Sequence, residues 1–268
     1  MNFDGLYRAS RKIKYFRGRD RLISLIASQM RPGVRELPFG FSMHLNPKEW
    51  AQLTLIEEGC TEPITTQLFE SLITKGDTII DVGAHVGFYS LLAGKQAGGT
   101  GTVIGIEPQP ANCAQALNNI QINKMETVSI VCAAIGRQEE WVDLKLQASS
   151  DTSRLSLVGD GVNDLNTTFH VPVCRLDTLA RRHQIGRIKL LKIDVEEFEF
   201  EVLEGCGELL SKIENIILEL LPVTPNHRKQ KILDLLVSND FELKQVNGLP
   251  FSSEQPLPEH NLWAKRRG

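Results

Sequence analysis

The chain has 268 residues, of which 41% are hydrophobic and 24% are charged, and its formal net charge at pH 7 is −3. This is the composition of an ordinary soluble domain that is long enough to bury a substantial core. The near-neutral charge argues against nucleic acid as the partner of the whole molecule, because phosphate recognition usually requires a basic domain. No stretch approaches the roughly 20 apolar residues that span a membrane.

The chain shows no secretory signal and no metal-binding cysteine motif. No apolar run long enough for a signal peptide follows the early positive charges, so we expect a cytoplasmic protein. The five cysteines are odd in number, are widely scattered and form no C-x-x-C pair, which argues against a zinc or redox site. We interpret them as small buried hydrophobic residues: Cys60, Cys113, Cys132, Cys174 and Cys206.

Residues 1–60 are predicted to form an N-terminal helical extension or cap, and residues 61–268 the main domain. Residues 1–35 contain nine Lys or Arg and two Asp, a net charge of +7, which leaves −10 for the remainder. Such a segment is either a plain charged helix or a docking surface that attracts an anionic substrate through its positive field. Contact with a membrane surface is a weaker form of the second interpretation.

From Asp77 onward, short β-rich apolar runs alternate with longer helical stretches. This pattern is typical of a mostly parallel sheet covered by helices on both faces. The predicted strands are about 78–82, 102–106, 128–132, 189–194, 213–220, 240–246 and 260–265. The predicted helices are about 87–97, 110–123, 176–184, 198–210 and 225–238. The sequence therefore predicts a Rossmann-like, doubly wound α/β domain.

An insertion of about residues 138–174 follows the third strand of this series. Its apolar residues alternate with polar ones, as at Val142, Leu144 and Leu146, which is the period of a half-buried strand. We predict an inserted hairpin with a polar loop, residues 147–167, between its two arms.

The first candidate binding segment is a glycine turn at the end of the 78–82 strand. Asp81 precedes the turn, and Gly83 and Gly87 let the backbone approach a ligand closely where a helix begins. The G-x-x-x-G spacing lacks the G-x-G-x-x-G that a dinucleotide pyrophosphate prefers. A carboxylate at Asp81 would repel a pyrophosphate but can lie near the ammonium and sulfonium charges of S-adenosylmethionine. S-adenosylmethionine is therefore the predicted cofactor.

The second candidate segment is the end of the next strand, where Glu107 precedes Pro108. In nucleoside-binding α/β folds an acid at this place accepts hydrogen bonds from both ribose hydroxyls. Each motif alone is also compatible with a plain strand-to-helix turn. Together, in this order and about 20 residues apart, they favour a nucleoside cofactor.

Four segments between about residues 57 and 221 carry a family resemblance. They are Glu58-Gly59-Cys60-Thr61-Glu62-Pro63, Asp81-Val82-Gly83-Ala84-His85-Val86-Gly87-Phe88-Tyr89-Ser90, Glu107-Pro108-Gln109-Pro110-Ala111-Asn112 with Asn119 and Asn123, and Val171-Pro172-Val173 with Leu176-Asp177 and Leu191-Lys192-Ile193-Asp194-Val195-Glu196. Through them the chain resembles the FkbM family of methyltransferases. The resemblance implies the class I methyltransferase fold, a seven-stranded mostly parallel sheet with a terminal antiparallel hairpin. It also implies S-adenosylmethionine as cofactor and, usually, O-methylation.

The motifs and the resemblance together yield a set of residues that we expect at the cofactor. They are Glu62, Asp81, Gly83, Ala84, His85, Gly87, Phe88, Tyr89, Glu107, Pro108 and Ala133. For Glu62 the alternative is a solvated acid at the start of a helix. The chain departs from the family where His85 replaces the usual Asn and where Glu197-Phe198 replaces the usual Gly-Ala, so the substrate of the family cannot be transferred.

Asp194 is the predicted catalytic base, with Glu196 and His85 as the next candidates. Asp194 closes a strand, and ligands in open α/β sheets bind at the carboxyl ends of the strands. The alternatives are that Asp194 hydrogen-bonds the following turn and that His85 caps its loop or packs over the cofactor. The acids of residues 194–201 also fit a metal site. We prefer a solvated helix face for Glu197 and Glu201, and no metal.

The leading hypothesis is a methyltransferase that moves the methyl group of S-adenosylmethionine to a hydroxyl. The expected substrate is a small molecule, a sugar, or a glycan or natural-product intermediate, and an anionic one if the basic segment docks it. Neither nucleic acid nor stable membrane insertion is expected. Two alternatives stay open, namely an NAD-dependent oxidoreductase on a related sheet and a cofactor-binding module without turnover.

Overall fold

A computed structural model describes residues 29–146, 155–157, 168–253 and 255–268. The strands are β1 Gly33–Leu37, β2 Phe41–Leu45, β3 Thr78–Val82, β4 Thr102–Glu107, β5 Val128–Cys132, β6 Ala134–Ile135, β7 Glu140–Leu146, β8 Leu155–Leu157, β9 Thr168–Cys174, β10 Ile188–Ile193, β11 Ile213–Glu219, β12 Phe241–Gln245 and β13 Asn261–Arg266. The α-helices are α1 Trp50–Glu58, α2 Pro63–Leu72, α3 Phe88–Ala97, α4 Pro110–Ile122, α5 Leu176–Arg182, α6 Glu199–Cys206 and α7 Asn226–Ser238.

The central sheet has seven strands in the order β12-β13-β11-β10-β3-β4-β5. All neighbouring pairs are parallel except those of β13, which runs antiparallel to both β11 and β12. This confirms the predicted doubly wound fold with a terminal antiparallel hairpin. The strand order reverses between β3 and β10, and such a switch point opens a crevice at the carboxyl ends of the strands.

Side chains alternate between the two faces of this sheet, because successive residues of a strand point in opposite directions. Ile79 and Leu190 pack in one apolar cluster with residues of α2, α3 and α4. Ile80 and Leu191 pack in the other cluster with residues of α5, α6 and α7. Helices therefore cover both faces, as the uninterrupted apolar runs of β3 and β10 predict.

The predicted boundaries of the core elements agree with the observed ones, apart from one helix. The predicted helix at 198–210 consists of α6 and a separate 3-10 helix, Gly207–Lys212. Gly207 has a φ of +48°, which α-helical residues do not adopt, so it ends α6.

The insertion forms a second sheet of four strands in the order β6-β9-β7-β8. Antiparallel pairing of β7 with β9 confirms the predicted hairpin. The prediction of a continuous polar loop was wrong at β8, where Leu155 and Leu157 pair with Leu146 and Leu144 of β7. The other residues between 147 and 167 lie outside the described part of the chain.

Strands β1 and β2 form a hairpin that the sequence analysis did not predict. Gly40, at φ +74°, closes the turn by donating its N–H to Leu37 O at 3.2 Å. Phe41 and Met43 of β2 are buried in the same apolar cluster as Phe88 of α3. The predicted helix before this hairpin falls among residues 1–28, outside the described part, and the domain boundary at residue 60 stays a prediction.

The insertion and α6 meet through two glycines. A Cβ atom on Gly205 would lie 2.2 Å from the carbonyl oxygen of Gly136. We expect Gly205→Ala to lower the free energy of unfolding by about 2 kcal/mol or more, because backbone cannot move aside as a flexible side chain does. Urea unfolding followed by circular dichroism measures this change.

The matched control is Gly186→Ala, since a Cβ on Gly186 has no neighbour within 4 Å. That substitution should raise the free energy of unfolding by about 0.4 to 1 kcal/mol, because alanine restricts the conformations of the unfolded chain. Equal stability of the two variants would contradict the close packing of α6 on the insertion.

Candidate functional site

A cavity of about 400 Å³ opens at the switch point, at the carboxyl ends of β3, β4 and β10. Its volume lies within the roughly 300 to 1,000 Å³ of small-molecule sites. Eleven of the thirteen predicted site residues line it: Glu62, Gly83, Ala84, His85, Phe88, Tyr89, Glu107, Pro108, Ala133, Asp194 and Glu196. Asp81 and Gly87 do not. The fold thus brings most of the predicted residues to one place, while their roles stay predictions.

The glycine turn after β3 is held tightly by both neighbouring strands. Gly83 and Ala84 donate their N–H groups to Ile106 O of β4, at 2.9 and 3.0 Å. On the other side, a Cβ on Gly83 would lie 1.8 Å from Asp194 O. Gly83 has a φ of +88° and Gly87, before α3, a φ of +91°. Both the crowding and the backbone conformation therefore favour glycine at residue 83.

Asp81 lies behind the cavity wall, contrary to the expectation that its charge faces the cofactor directly. Its side chain points to the sheet face covered by α3, where its Oδ2 accepts a hydrogen bond from Ser90 Oγ at 2.6 Å. Burial raises the pKa of the Asp81 carboxyl, and the nearby Lys192 ammonium opposes this rise. Asp81 therefore interacts with Ser90 and with the charge of Lys192, and does not line the cavity.

Glu107 is oriented by three hydrogen bonds from the protein. Its Oε1 accepts from Gln109 N at 3.0 Å and from Asn112 Nδ2 at 3.2 Å, and its Oε2 accepts from His85 N at 2.9 Å. Burial raises the pKa of this carboxyl, and the hydrogen bonds offset the rise only in part. A carboxylate offers about four acceptor positions, so Oε2 retains one for a ligand.

His85 lines the cavity with a half-buried side chain. Its φ of +49° is uncommon outside glycine and lets its N–H reach Glu107. The backbone of His85 therefore orders the site by orienting Glu107.

Lys192 is a buried residue of the site that the sequence analysis missed. Its side chain is 1% exposed, its Nζ lies 2.7 Å from Asp194 Oδ2, and the same atom lies 4.4 Å from the centre of the Tyr89 ring. Burial alone would lower the pKa of this ammonium, but the carboxylates of Asp194, Glu62 and Asp81 outweigh burial and raise it. A lysine between apolar residues of the strand, two residues before an acid, was the available signal.

Glu62 is half-buried at the cavity, and the alternative of a solvated helix-start acid is wrong. Its Oε1 accepts from Asn261 Nδ2 at 2.6 Å, and its Oε2 accepts from Tyr89 Oη at 3.0 Å. Burial raises the pKa of the Glu62 carboxyl, and the Lys192 ammonium acts in the opposite direction. No local sequence pattern predicted that Asn261, which lies 199 residues away in sequence, would donate a hydrogen bond to Glu62.

The loop after β10 has an unusual backbone. Glu196 and Glu197 have φ values of +51° and +78°, and Glu197 is the residue at which the resemblance implies Gly. The buried carboxylate of Glu199 holds the loop by accepting a hydrogen bond from Glu197 N at 3.1 Å. Glu201 differs from the predicted solvated face, because it lines the cavity and pairs with Arg228 at 2.6 Å. Within the described residues, no group of three or more His, Cys, Asp or Glu side chains is arranged to hold a metal ion.

Comparisons with known proteins identify the family of the chain. Residues 81–243 match the family described as Methyltransferase FkbM domain. Because the match covers more than half of the chain, the chain belongs to the FkbM methyltransferase family. The predicted family is confirmed, and the chain is a methyltransferase whose cofactor is S-adenosylmethionine. Methyltransferase 1 of Beauveria bassiana (strain ARSEF 2860) is 26% identical over an alignment of 203 residues, and the match covers 69% of this chain and 80% of that protein.

Two solved structures also align with the chain. Methyltransferase FkbM from Methylobacillus flagellatus KT is 16% identical, with 80% of this chain and 52% of that chain covered and a TM-score of 0.45. The Streptococcus mutans protein SMU.1697c, solved in complex with SAH, is 9% identical, with 76% and 97% covered and a TM-score of 0.48. Among the described residues, no helix combines the length and the apolar character needed to cross a membrane.

Glu199 makes the stability of this site depend on pH. Burial raises the pKa of its carboxyl from 4.5 to about 7. The native state therefore binds an extra proton between these values, and its free energy of unfolding falls as the pH rises through them. From about pH 5 to pH 8 we expect the free energy of unfolding of the wild type to fall by roughly 2 to 3 kcal/mol more than that of Glu199→Gln.

Denaturant unfolding at a series of pH values measures this difference. Glu197→Gln, at an exposed position on the same loop, is the control and should retain the pH dependence of the wild type. If Glu199→Gln also retains it, the carboxyl of Glu199 does not titrate near neutral pH.

Proposed function

We propose that the cavity binds S-adenosylmethionine and that the chain transfers its methyl group to a hydroxyl of a small molecule, sugar, or glycan or natural-product intermediate. One observation carries this proposal: the Gly83 backbone, the Glu107 carboxylate and the Asp194 carboxylate meet at the switch point of the sheet. This cofactor requires a backbone without a side chain, an acceptor for the ribose and an acid at the reacting end. Family membership favours this activity over an NAD-dependent oxidoreductase.

The walls of the cavity suit the parts of the cofactor. Ile135, Leu144 and Val173 are buried apolar residues that line it beside Ala133, and they fit the base of a nucleoside. Glu107 supplies the acceptor for the ribose. Glu62 and Asp194 are the carboxylates that we assign to the positive methionine end.

Bound S-adenosylmethionine supplies an activated methyl group on a sulfonium ion. The protein aligns the acceptor hydroxyl with that methyl group and takes up the hydroxyl proton. Lys192 holds Oδ2 of Asp194, so Oδ1 is the oxygen that can orient the hydroxyl or accept its proton. Glu196 and His85 line the same cavity and are the alternative bases.

The described part of the cavity does not favour an anionic acceptor. Six carboxylate side chains line it: Glu62, Glu107, Glu140, Asp194, Glu196 and Glu201. The basic residue of the described lining is one arginine, Arg137. Like charges repel at short range, so a neutral or cationic acceptor fits this wall better. The proposed docking of an anion by the basic segment concerns residues largely outside the described part. A cytoplasmic location and the absence of a nucleic-acid partner also stay predictions.

Calorimetry with S-adenosylmethionine, its demethylated product and NAD tests the cofactor assignment. We expect the first two to bind and NAD not to bind. Glu107→Gln should weaken S-adenosylmethionine binding by about 2 kcal/mol or more, because it removes a charged acceptor for the ribose hydroxyls. The same change also disturbs three protein hydrogen bonds, so some loss of stability is expected too.

Glu139→Gln, at an exposed position beside the cavity, is the control and should bind like the wild type. Wild-type affinity in folded Glu107→Gln would show that the ribose is held elsewhere.

Asp194→Asn tests the base. With a panel of hydroxyl-bearing acceptors and S-adenosylmethionine labelled in its methyl group, we expect turnover to fall by about a hundredfold or more. Cofactor affinity, measured separately, distinguishes lost chemistry from lost binding. Unchanged turnover would exclude Asp194 as the base, and an absence of turnover by the wild type on every acceptor would favour a binding module.

A further inference from the structure

Lys192 is a charged residue in the middle of the central sheet that does not itself line the cavity. The rest of β10 beside it is apolar, with Leu190, Leu191 and Ile193 fully buried. Burying an ammonium costs several kcal/mol unless charged partners compensate it. The partners of Lys192 therefore indicate what the residue does.

Charged and aromatic groups from several elements surround Lys192. Lys192 and the buried Asp81 are direct partners in the register of β10 and β3. Asp194 follows β10, Asp81 lies in β3, and Glu62 lies in the loop before α2. Tyr89 belongs to α3, and Glu219 ends β11. The Lys192 ammonium thus interacts electrostatically with four carboxyl groups from four parts of the chain.

The carboxyl groups around Lys192 differ in how far its charge compensates their burial. Burial raises the pKa values of Glu62 and Asp81, and Lys192 opposes the rise in both. For Glu219, burial and the charges of Asp194 and Glu196 prevail over Lys192 and raise the pKa to about 9. Burial therefore prevails over Lys192 at all three carboxyl groups, and most strongly at Glu219.

We propose that Lys192 is a positioning residue whose ammonium fixes the Asp194 carboxylate and, lying over the Tyr89 ring that hydrogen-bonds Glu62, holds a positive charge beside the Glu62 carboxylate, so that both acids await the positively charged methionine end of the cofactor. The identity of that ligand rests on the proposed function. Lys192 acts through the two carboxylates, which line the cavity, and does not touch the cofactor. Without its charge, the buried Glu62 carboxyl would bind a proton more readily, and an incoming cation would have to displace that proton.

The first experiment needs no cofactor and compares Lys192→Met with Lys189→Met. Lys189 lies on the same strand and pairs with Glu214 at 3.0 Å, with a side chain that is 26% exposed. We expect the melting temperature of Lys192→Met to rise, relative to wild type, as the pH is lowered from about 8 to about 5.5, because protonation relieves the uncompensated carboxylates. Lys189→Met should follow the wild type.

Should Lys192→Met be unfolded at about pH 8, the proposal requires it to fold at about pH 5.5. A loss of stability that is equal at both pH values would show that Lys192 serves packing alone and would overturn the proposal.

The second experiment is calorimetry of S-adenosylmethionine binding in two buffers with different ionisation enthalpies. We expect Lys192→Met to release about one proton more than the wild type on binding, and its Kd to rise about tenfold more per unit of pH lowered. Equal proton release in wild type and variant would also overturn the proposal. If the wild type binds no S-adenosylmethionine, the proposed function fails, while the melting experiment still decides whether Lys192 controls the carboxylates.

Discussion

The close approach of two strand ends at Gly83 is the constraint on which the site depends. β3 and β10 are parallel neighbours, and the carbonyl oxygen of Asp194 occupies the space that a Cβ on residue 83 would need. A larger residue there would push apart the ends of the two strands. Because Asp194 and the glycine turn line one cavity, such a displacement would change the carboxylate, the turn and the volume between them together.

The charges behind the cavity follow from the same strand pairing. Register places Lys192 beside Asp81, and the ends of the neighbouring elements add Glu62 and Asp194. Such a buried cluster is weak evidence for stability, since desolvation opposes the attraction between the charges. Under the proposed function, the cluster prepares a site for a cation, consistent with the tendency of functional sites to break local rules of stability.

Segments outside the core sheet build the remaining walls. Leu55 of α1, Val142 of the insertion and Phe198 of the loop after β10 all line the cavity. Asn119 of α4 connects the β1–β2 hairpin to the glycine turn, because its side chain accepts from His44 N of β2 and donates to Val86 O of the turn. The ends of the core strands and the added segments thus line one cavity together.

The sequence by itself determined the seven central strands, the inserted hairpin and the residues at the strand ends, because alternation, glycine turns and the carboxyl-end rule are local or topological signals. It did not determine strands β1, β2 and β8, which are short and depend on the partners they pair with. Only the tertiary structure decided that Asp81 faces away from the cavity, that Lys192 is its neighbour and that Asn261 binds Glu62. Strand register decides on which face a side chain lies. Residues far apart in the chain decide which charges surround it. Burial, which sets the ionisation of Glu62 and Glu199, comes from the same long-range packing.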